Sequence, residues 1–480
     1  MTPLELSEIQ AYLFNEYKEM GSSKYYLLQS KDAIAAKKFL ASVADNITHA
    51  NATIGETAVN IGFTGKGLMA LGYSNEENMH SFSREFREGM VTAHRQRLLG
   101  DFDSSDPSNW QWGGPNNEQV DIILMVFAKN ESIAENYFQS LKQKFEPGLS
   151  IVHILDGKPL PKDREHFGFR DGISQPVIKG SNVAPAGNNN DLNPGEFVLG
   201  YKNEYDVYPD APLLKVPQGN AELLPDNPGG YEDKTKGKRF KDIGLNGTYF
   251  VLRQLEQNVN GYWSFIKKQA TDENGNVNNA EATKIAAKMM GRWPSGAPLV
   301  KHADKDPGDD SEDKDDNSFS YKTEDEDGEK CPFGSHIRRM NPRDQFEEST
   351  AGVSLNLSRR HRIIRRVRSY GEDFIGSAEN HTPTGEVGLL FGCFNANISK
   401  QFEFIQYTWA NSPKFKRLYD DPDPIIGVRE CPVTGAKQNF TIPQKTVNKV
   451  IPNLQRFVTV KGGAYFFIPS IRTLKFLSTI

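Results

Sequence analysis

One histidine lies in a turn-rich segment that carries several fixed positive charges. Residues 331–343 read Cys-Pro-Phe-Gly-Ser-His-Ile-Arg-Arg-Met-Asn-Pro-Arg, so His336 is followed closely by Arg338, Arg339 and Arg343. A neutral imidazole can ligate a metal ion, and arginines can neutralise an anionic group bound beside it. A histidine that is simply packed or exposed would account for the same residue. The segment therefore suggests a metal-containing, anionic partner only if other segments support it.

A carboxylate on a turn between two glycines is the second candidate. Residues 167–176 read Phe-Gly-Phe-Arg-Asp-Gly-Ile-Ser-Gln-Pro, with Gly168 three residues before Asp171 and Gly172 directly after it. Glycines allow the backbone to approach a planar ligand closely. An aspartate on such a turn can transfer a proton to and from a substrate. A turn or helix cap is the structural alternative for the same Asp-Gly pair.

A strand rich in arginine is the third candidate. Residues 359–366 read Arg-Arg-His-Arg-Ile-Ile-Arg-Arg. On a period of two, Arg365 shares a face with Ile363, whereas Arg366 shares the opposite face with Ile364. At least one arginine must therefore point inward, where a guanidinium can stabilise developing negative charge.

The elements around these segments predict an α+β fold. In the first half, apolar periodicity gives the order β-α-β-(α)-β-α-β, which is typical of a ferredoxin-like sandwich. The predicted elements of this half are strands at 25–28, 58–63, 121–128 and 149–155 and helices at 32–43 and 131–145. The second half uses the same elements with longer insertions. Its predicted strands are 196–201, 248–255, 363–366, 388–395 and 464–469, and its predicted helices are 258–269, 280–290 and 399–411.

We therefore expect two ferredoxin-like domains, each an antiparallel sheet covered by helices. The linker-like composition of residues 156–164 puts the break there, giving an amino-terminal domain at 1–160 and a carboxy-terminal domain at 161–480. An acidic loop at about 303–330 interrupts the second domain and is expected to be solvated and mobile. A weak Mn²⁺ or Ca²⁺ site is the alternative for that loop, although its spacing does not match an EF-hand.

Composition excludes several classes of protein. The formal net charge of −5 gives no reason to expect nucleic acid or an anionic membrane as partner. No apolar run approaches the length of a membrane span, and the amino terminus shows no secretory signal. Three scattered cysteines do not suggest a disulfide framework, so a cytoplasmic location is expected.

The three segments together resemble the dye-decolorising peroxidases. That haem family is marked by Gly-x-x-Asp-Gly, by a His-Ile-Arg-x-x-Asn-Pro-Arg segment and by an Arg-Ile-x-Arg-Arg strand. The resemblance extends over nearly the whole chain and is closest to the longer, fungal-like and bacterial members. It is also seen in residues 192–201, 247–257, 388–394 and 462–470. The resemblance implies one haem b per chain, bound in the carboxy-terminal domain.

The resemblance also assigns roles to individual residues. His336 is expected to be the ligand of the haem iron, Asp171 the acid/base catalyst and Arg365 the stabiliser of charge on the departing oxygen of H₂O₂. Arg362 and Arg366 are the alternatives to Arg365, because a shift of one residue exchanges the faces of a strand. His166 and His361 are the alternatives to His336.

Other residues are expected to complete the haem pocket. Leu389 and Phe391 match the apolar residues above the haem, Arg339 and Arg343 are candidate partners of the propionates, and Gly168 and Gly172 shape the distal turn. The acceptor for the second ring nitrogen of His336 is left open, with Glu403 as one candidate. Tyr370 is the first surface residue to test as an electron relay.

The sequence thus predicts a haem b peroxidase that reduces H₂O₂ and oxidises bulky organic donors, such as dyes and phenolics, in one-electron steps. Nucleic acid and membranes are not expected partners, and an oligomer is compatible with the sequence. A haem-binding or iron-handling protein without significant turnover is the main alternative. A module without haem is a further alternative, which an absorption spectrum would distinguish.

Overall fold

The structure is a computed structural model that describes residues 3–181, 183, 190–233, 237–346, 350–429 and 437–480. Its centre is one eight-stranded sheet in which every pair of neighbouring strands is antiparallel. The strands are β1 (Ser22–Ser30), β2 (Thr57–Phe63), β3 (Ile122–Ala128), β4 (Leu149–Gly157), β5 (Thr248–Gln257), β6 (Ile364–Tyr370), β7 (Gly388–Asn395) and β8 (Val458–Ile468).

Twelve α-helices are described, with a π-helical segment at Ser399–Glu403 and Ile405–Ala410. They are α1 (Ala33–Val43), α2 (Gly65–Ala70), α3 (Glu76–His80), α4 (Arg84–Glu88), α5 (Ala93–Leu99), α6 (Glu131–Phe145), α7 (Val259–Gln269), α8 (Asn279–Met290), α9 (Tyr321–Glu324), α10 (His336–Met340), α11 (Ala351–Arg359) and α12 (Ile471–Leu477).

The two halves of the sheet have the same ferredoxin-like strand order, which confirms the predicted fold class. The full order is β6-β7-β5-β8-β2-β3-β1-β4, so each half places its second, third, first and fourth strands side by side. The halves join through the pairing of Phe467 in β8 with Phe63 in β2. The free edges also meet, because Lys158 and Ser369 exchange backbone hydrogen bonds of 2.8 and 3.0 Å. That the two sheets join into one was not predicted from the sequence.

The alternation predicted for the arginine strand is present in β6. Arg366 is 6% exposed and donates to the carbonyl oxygens of Tyr12 and Leu13 in the amino-terminal segment. Arg365 points to the opposite face and reaches Asp171. The strand pleat therefore puts Arg365 and Arg366 on opposite faces, and of these two only Arg365 is directed towards the predicted site.

Two predicted elements differ from the structure. The segment predicted as a strand at 196–201 is a tight loop that follows a short 3₁₀ turn, Pro194–Glu196. Phe197, Val198 and Leu199 are all fully buried, so consecutive rather than alternate residues face the core. The predicted helix at 399–411 is π-helical, as given above.

The acidic loop is also different from expectation, because the structure packs it against the rest of the molecule. Asp325 is 6% exposed and its carboxylate pairs with the buried guanidinium of Arg338 at 2.8 Å. Asp309 pairs with Arg164, and Asp315 pairs with Arg170. The loop is therefore packed at these residues, whereas Asp304 and Asp327 in the same loop are exposed, and its mobility stays a prediction. Within the ranges described, no group of three or more His, Cys, Asp or Glu side chains is arranged to hold a metal ion.

No helix in the described ranges is both long and apolar enough to span a membrane. The division of the chain into domains at 1–160 and 161–480 stays a prediction. Cys331 and Cys393 are buried free thiols, whereas Cys431 lies outside the described residues.

Candidate active site

The turn that carries Asp171 is held together by a buried glutamate. The carboxylate of Glu165 accepts hydrogen bonds from the backbone N–H groups of Phe167 and Phe169, each at 2.9 Å, and from the side chain of Gln257 at 2.6 Å. Gly168 has a φ of +102°, and a side chain there would clash with the carbonyl oxygen of Gly376. The turn therefore requires glycine at this position, for steric and conformational reasons.

Asp171 and Arg365 form an ion pair that faces the cavity. Arg365 Nη1 donates to Asp171 Oδ1 at 2.6 Å, and the backbone N–H of Gly172 donates to the same oxygen at 2.6 Å. The two side chains are 29% and 27% exposed. Burial raises the pKa of Asp171, but the positive charge of Arg365 and the hydrogen bonds outweigh it, so the pKa lies below its usual value. The carboxylate is therefore ionised at neutral pH and ready to accept a proton.

Gln175 fixes the backbone of Arg365. Its side-chain amide donates to the Arg365 carbonyl oxygen at 3.0 Å and accepts from the Arg365 N–H at 3.1 Å. At Arg365 no described strand pairs with the edge of β6 that faces away from β7, so Gln175 acts where a neighbouring strand would. Gln175 belongs to the motif of Asp171, but nothing local in the sequence links it to residue 365.

On the other side of the cavity, His336 is the first residue of α10 and pairs with Asp423. His336 Nδ1 lies 2.9 Å from Asp423 Oδ2, while Asp423 Oδ1 accepts from the backbone N–H groups of Ile425 and Ile426 at 2.8 and 2.9 Å. Burial raises the pKa of Asp423, but the neighbouring His336 and these hydrogen bonds bring it below its usual value. An ionised carboxylate can only accept, so Nδ1 carries the proton and Nε2 is left as a metal ligand.

Asp423 is the acceptor for the second ring nitrogen of His336, and it was not predicted from the sequence. Glu403, the candidate named there, instead pairs with Arg95 at 3.0 Å and accepts from Tyr465 at 2.8 Å. The sequence signal that was available is the run Asp421-Pro-Asp-Pro424, in which prolines restrict the backbone around a fully buried aspartate.

A single cavity contains both sides of this site. It holds about 1870 Å³ of space free of protein atoms, part of it open to solvent, and both His336 and Asp171 line it. Its sheet wall comes from β5 to β8 and includes Leu389 and Phe391, as predicted, on one face of β7. Its other wall comes from α10, the π-helical segment and the loop after Asp423. Further apolar lining residues are Leu99, Leu255, Met290, Met340, Phe402 and Ile405.

Three arginines at the cavity have no carboxylate within ion-pair distance in the part of the chain that the structure describes. Arg292 and Arg343 donate to oxygens of Asn317, and Arg362 donates to Ser174 and Asn190. Burial, together with the charges of Arg343 and Arg365, lowers the pKa of Arg362 to about 9. Uncompensated positive charge at one cavity suits a ligand with two carboxylates.

The cavity therefore fits haem in its donor set. It offers one imidazole with a free nitrogen, apolar walls on two sides and unneutralised guanidiniums for the propionates. Arg343 lines the cavity, and Arg292 is an additional candidate that the sequence did not indicate, because it lies outside the three motifs. Arg362, which the sequence suggested only as an alternative to Arg365, also lines the cavity. These assignments are taken up as proposals below.

Arg339 and the two distal glycines are not among the residues that line the cavity. Arg339 is fully buried and donates to the carbonyl oxygens of Trp409, Ser412 and Asp421, so it is directed away from any cofactor. The expectation that Arg339 contacts a propionate was therefore wrong. Gly168 and Gly172 shape the distal turn, each with positive φ, without forming part of the cavity wall.

The alternative histidines are engaged elsewhere. Both ring nitrogens of His166 contact carbonyl oxygens, those of Phe374 at 2.7 Å and Tyr370 at 2.9 Å. His361 stacks on Phe404 and its Nδ1 contacts the Lys400 carbonyl oxygen at 2.6 Å. Neither histidine lines the cavity.

The chain is similar to dye-decolorising peroxidases in sequence and in structure. Residues 7–161 match the model of a family described as the DyP dimeric α+β barrel domain. A multifunctional dye peroxidase, DyP2, from an Amycolatopsis strain is 29% identical over 469 residues, which cover 93% of this chain and 90% of that protein.

Two solved structures of dye-decolorising peroxidases are also similar to this chain. A DyP-type peroxidase from Anabaena is 25% identical with a TM-score of 0.75, covering 98% of this chain and 94% of that one. A dye-decolorising peroxidase whose haem pocket was engineered for asymmetric sulfoxidation is 25% identical with a TM-score of 0.77, covering 99% and 100%.

Proposed function

We propose that this chain, which belongs to the dye-decolorising peroxidase family, reduces H₂O₂ in the cavity between His336 and Asp171 and oxidises organic donors. The observation that carries the proposal is the placement of a free imidazole nitrogen and an ionised Asp171–Arg365 pair on one cavity. Fold alone would not carry it, because one fold serves many chemistries.

One haem b per chain is the proposed cofactor. When bound, it supplies the iron at which H₂O₂ is reduced and which then oxidises the donor. His336 would hold the iron through Nε2, and the ionised Asp423 keeps the proton on Nδ1 and strengthens the histidine as a donor. Arg343, Arg362 and Arg292 would neutralise the propionates. One of the similar structures is a dye-decolorising peroxidase with a haem pocket, which supports this assignment.

Asp171 is the proposed proton carrier. Its carboxylate can take a proton from one oxygen of H₂O₂ and return it to the other, so that water leaves. The charge of Arg365 outweighs the effect of burial and lowers the pKa of Asp171, so the carboxylate stays ionised and can accept a proton. Arg365 remains charged and directs its guanidinium at the same space, where it would stabilise negative charge on the departing oxygen.

Leu389 and Phe391 are proposed to keep bulk water from this space. Both lie on the sheet wall of the cavity, and Leu389 also borders a smaller cleft that reaches Asp171 and Arg365 from the direction of Lys158. A drier site strengthens the interaction between Arg365 and a developing negative charge.

Bulky dyes and phenolics are the proposed donors, since a relative is named a multifunctional dye peroxidase. Tyr370 stays a candidate electron relay. Its hydroxyl donates to Glu386 at 3.1 Å on the exposed side of the molecule. A cytoplasmic location is proposed from the buried free thiols Cys331 and Cys393, and an oligomer remains compatible with the chain.

The test is the rate at which haem-loaded protein reacts with H₂O₂, followed by stopped-flow absorbance. Asp171→Asn should slow this reaction by ~10²–10⁴-fold and Arg365→Leu by ~10²–10³-fold, with haem still bound. Arg366→Leu is a poor control, because Arg366 supports the amino-terminal segment. Arg97→Leu is a better control, since Arg97 does not line the cavity. A rate within about twofold of wild type for Asp171→Asn or Arg365→Leu would exclude that residue from the mechanism.

The alternative of a haem-handling protein without turnover has a different expectation. Such a protein would need His336 to bind the haem iron, but it would not need a paired carboxylate and guanidinium on the opposite wall of the cavity. Haem binding with no H₂O₂ reaction in the wild-type protein would favour it.

A further inference from the structure

Asn317 lies in the acidic loop, which the sequence indicated to be solvated. In the structure it connects three separate parts of the cavity rim. Its side-chain oxygen accepts from Arg292 Nη2 at 2.8 Å and from Arg343 Nη2 at 3.0 Å, and its backbone oxygen accepts from Arg343 Nη1 at 2.7 Å. Its side-chain nitrogen donates to the carbonyl oxygen of Ile173 at 2.8 Å, two residues after Asp171.

Each group of the Asn317 side chain is thus used in the direction that its chemistry allows. The oxygen can accept two hydrogen bonds and does so from two guanidiniums, while the nitrogen donates to a carbonyl. The adjacent backbone takes part as well, because the Asp316 carbonyl oxygen accepts from Arg292 Nη1 at 3.0 Å. Arg343 also stacks on Phe319, with its guanidinium carbon 3.9 Å from the ring centroid. Both arginines are therefore oriented by one short segment of the acidic loop.

We infer that Asn317 is a positioning residue that holds Arg292 and Arg343 in the orientation needed to bind the anionic edge of the cofactor, and links them to the turn of Asp171. The inference rests on the proposed haem function. It goes further by assigning to the acidic loop a role in cofactor retention.

The amide has an advantage over a carboxylate at this position. An aspartate could accept from the same two guanidiniums, but it would neutralise them and compete with an anionic ligand. An amide accepts the hydrogen bonds and leaves the positive charge available. The two arginines already repel each other, since burial and the charge of Arg343 together lower the pKa of Arg292 to about 10. A neutral acceptor between them thus keeps together two like charges that would otherwise separate.

Ion pairs hold this part of the acidic loop in place around Asn317. Asp315 pairs with Arg170 at 2.9 Å, and Asp316 pairs with Lys301 at 2.8 Å. Arg170 directly precedes Asp171, so the loop is fixed to the distal turn both by this ion pair and by the bond from Asn317 to Ile173. Each partly exposed pair contributes little by itself. The arrangement is instead useful because it fixes the position of one amide.

The test is the rate at which haem-loaded protein gives up haem to an excess of apomyoglobin. Asn317→Ala removes all the side-chain contacts. Asn317→Asp keeps the shape and the oxygen that accepts from both arginines, but it adds a negative charge and removes the N–H group that donates to Ile173. Both should release haem about tenfold faster than wild type or more, because hydrogen bonds to charged groups are lost or the guanidiniums are neutralised. Asn116→Ala, an exposed asparagine outside the cavity, is the matched control and should release haem at the wild-type rate.

A second measurement separates positioning from general stability. The thermal midpoint of the haem-free Asn317→Asp protein should equal that of haem-free wild type, while its haem release is faster. In an Arg343→Gln background, Asn317→Asp should have a clearly smaller effect on release, since the amide acts through the arginine. Wild-type release rates in Asn317→Asp, or an undiminished effect in the Arg343→Gln background, would overturn the inference. Failure of the proposed function would look different, because the wild-type protein itself would then bind no haem.

Discussion

Replacing Asp423 by asparagine tests the proximal side of the site with almost no change in shape. The structure fixes the orientation of the new amide, because the position of Oδ1 accepts from two backbone N–H groups, those of Ile425 and Ile426. The amide nitrogen must therefore take the position of Oδ2, which lies 2.9 Å from His336 Nδ1. Two donors would then face each other, and His336 must move its proton to Nε2, the nitrogen proposed to bind the iron.

The size of the effect follows from the two ways in which the variant can respond. If the amide keeps its orientation, loss of a carboxylate partner to a ligating histidine weakens metal affinity by ~10–100-fold, which is about 1.4–2.7 kcal/mol. If the amide flips instead, its nitrogen faces the two backbone N–H groups, and two hydrogen bonds of about 1 kcal/mol each are lost. Either response costs about 2 kcal/mol, so relaxation does not remove the penalty.

The assay is titration of haem-free protein with haem b, followed by Soret absorbance, in wild type, Asp423→Asn and Asp421→Asn. Asp421 is a matched control, because it is equally buried and accepts from the Thr441 N–H at 2.6 Å but does not contact His336. We expect at least tenfold weaker binding for Asp423→Asn only. Equal affinities for all three proteins would refute the proximal assignment.

Three other outcomes are expected. Arg365→Leu should move the acidic limb of the pH profile of the H₂O₂ reaction to higher pH. Burial then raises the pKa of Asp171 without the opposing charge, so the carboxylate becomes protonated at a higher pH than in wild type. An unmoved limb would exclude Asp171 as the titrating group. Gly168→Ala should lower the free energy of unfolding, measured by urea denaturation, by about 2 kcal/mol or more, because the φ of Gly168 is +102°. The control Gly352→Ala, in the exposed part of α11, should not destabilise the protein. Gln175→Ala should slow the H₂O₂ reaction while leaving haem affinity within about twofold, since it frees the backbone of Arg365 on the distal side only.

Local patterns were enough to predict the eight strands of the central sheet and to place Arg365 and Arg366 on opposite faces, but not to decide which of the two faces the site. Alternation of period two places Arg365 opposite Arg366, and the structure has this arrangement, because β6 is regular from Ile364 to Tyr370. The strand orders of both halves follow from the ferredoxin-like succession of elements. The run Phe197 to Leu199 has no such alternation in the structure, and its burial depends on a loop that closes through tertiary contacts.

Long-range pairs were beyond local patterns. Asp423 is 87 residues from His336, and Gln175 is 190 residues from Arg365, so neither spacing has a periodic signal. The acidic loop shows a different limit: its composition is that of a solvated segment, yet Asn317 and Asp325 find buried arginines as partners. Composition reports average solvation and does not identify which carboxylates meet a buried cation.

The absorption spectrum of the purified protein, compared with that of His336→Ala, tests the central claim most directly. The account predicts a Soret band corresponding to one haem per chain in wild type, and a band that is lost or greatly weakened in His336→Ala. His361→Ala is the control and should keep the wild-type band, because His361 does not line the cavity. A wild-type protein without a Soret band after loading with haem, or full occupancy with an unchanged ferric spectrum in His336→Ala, would contradict the account.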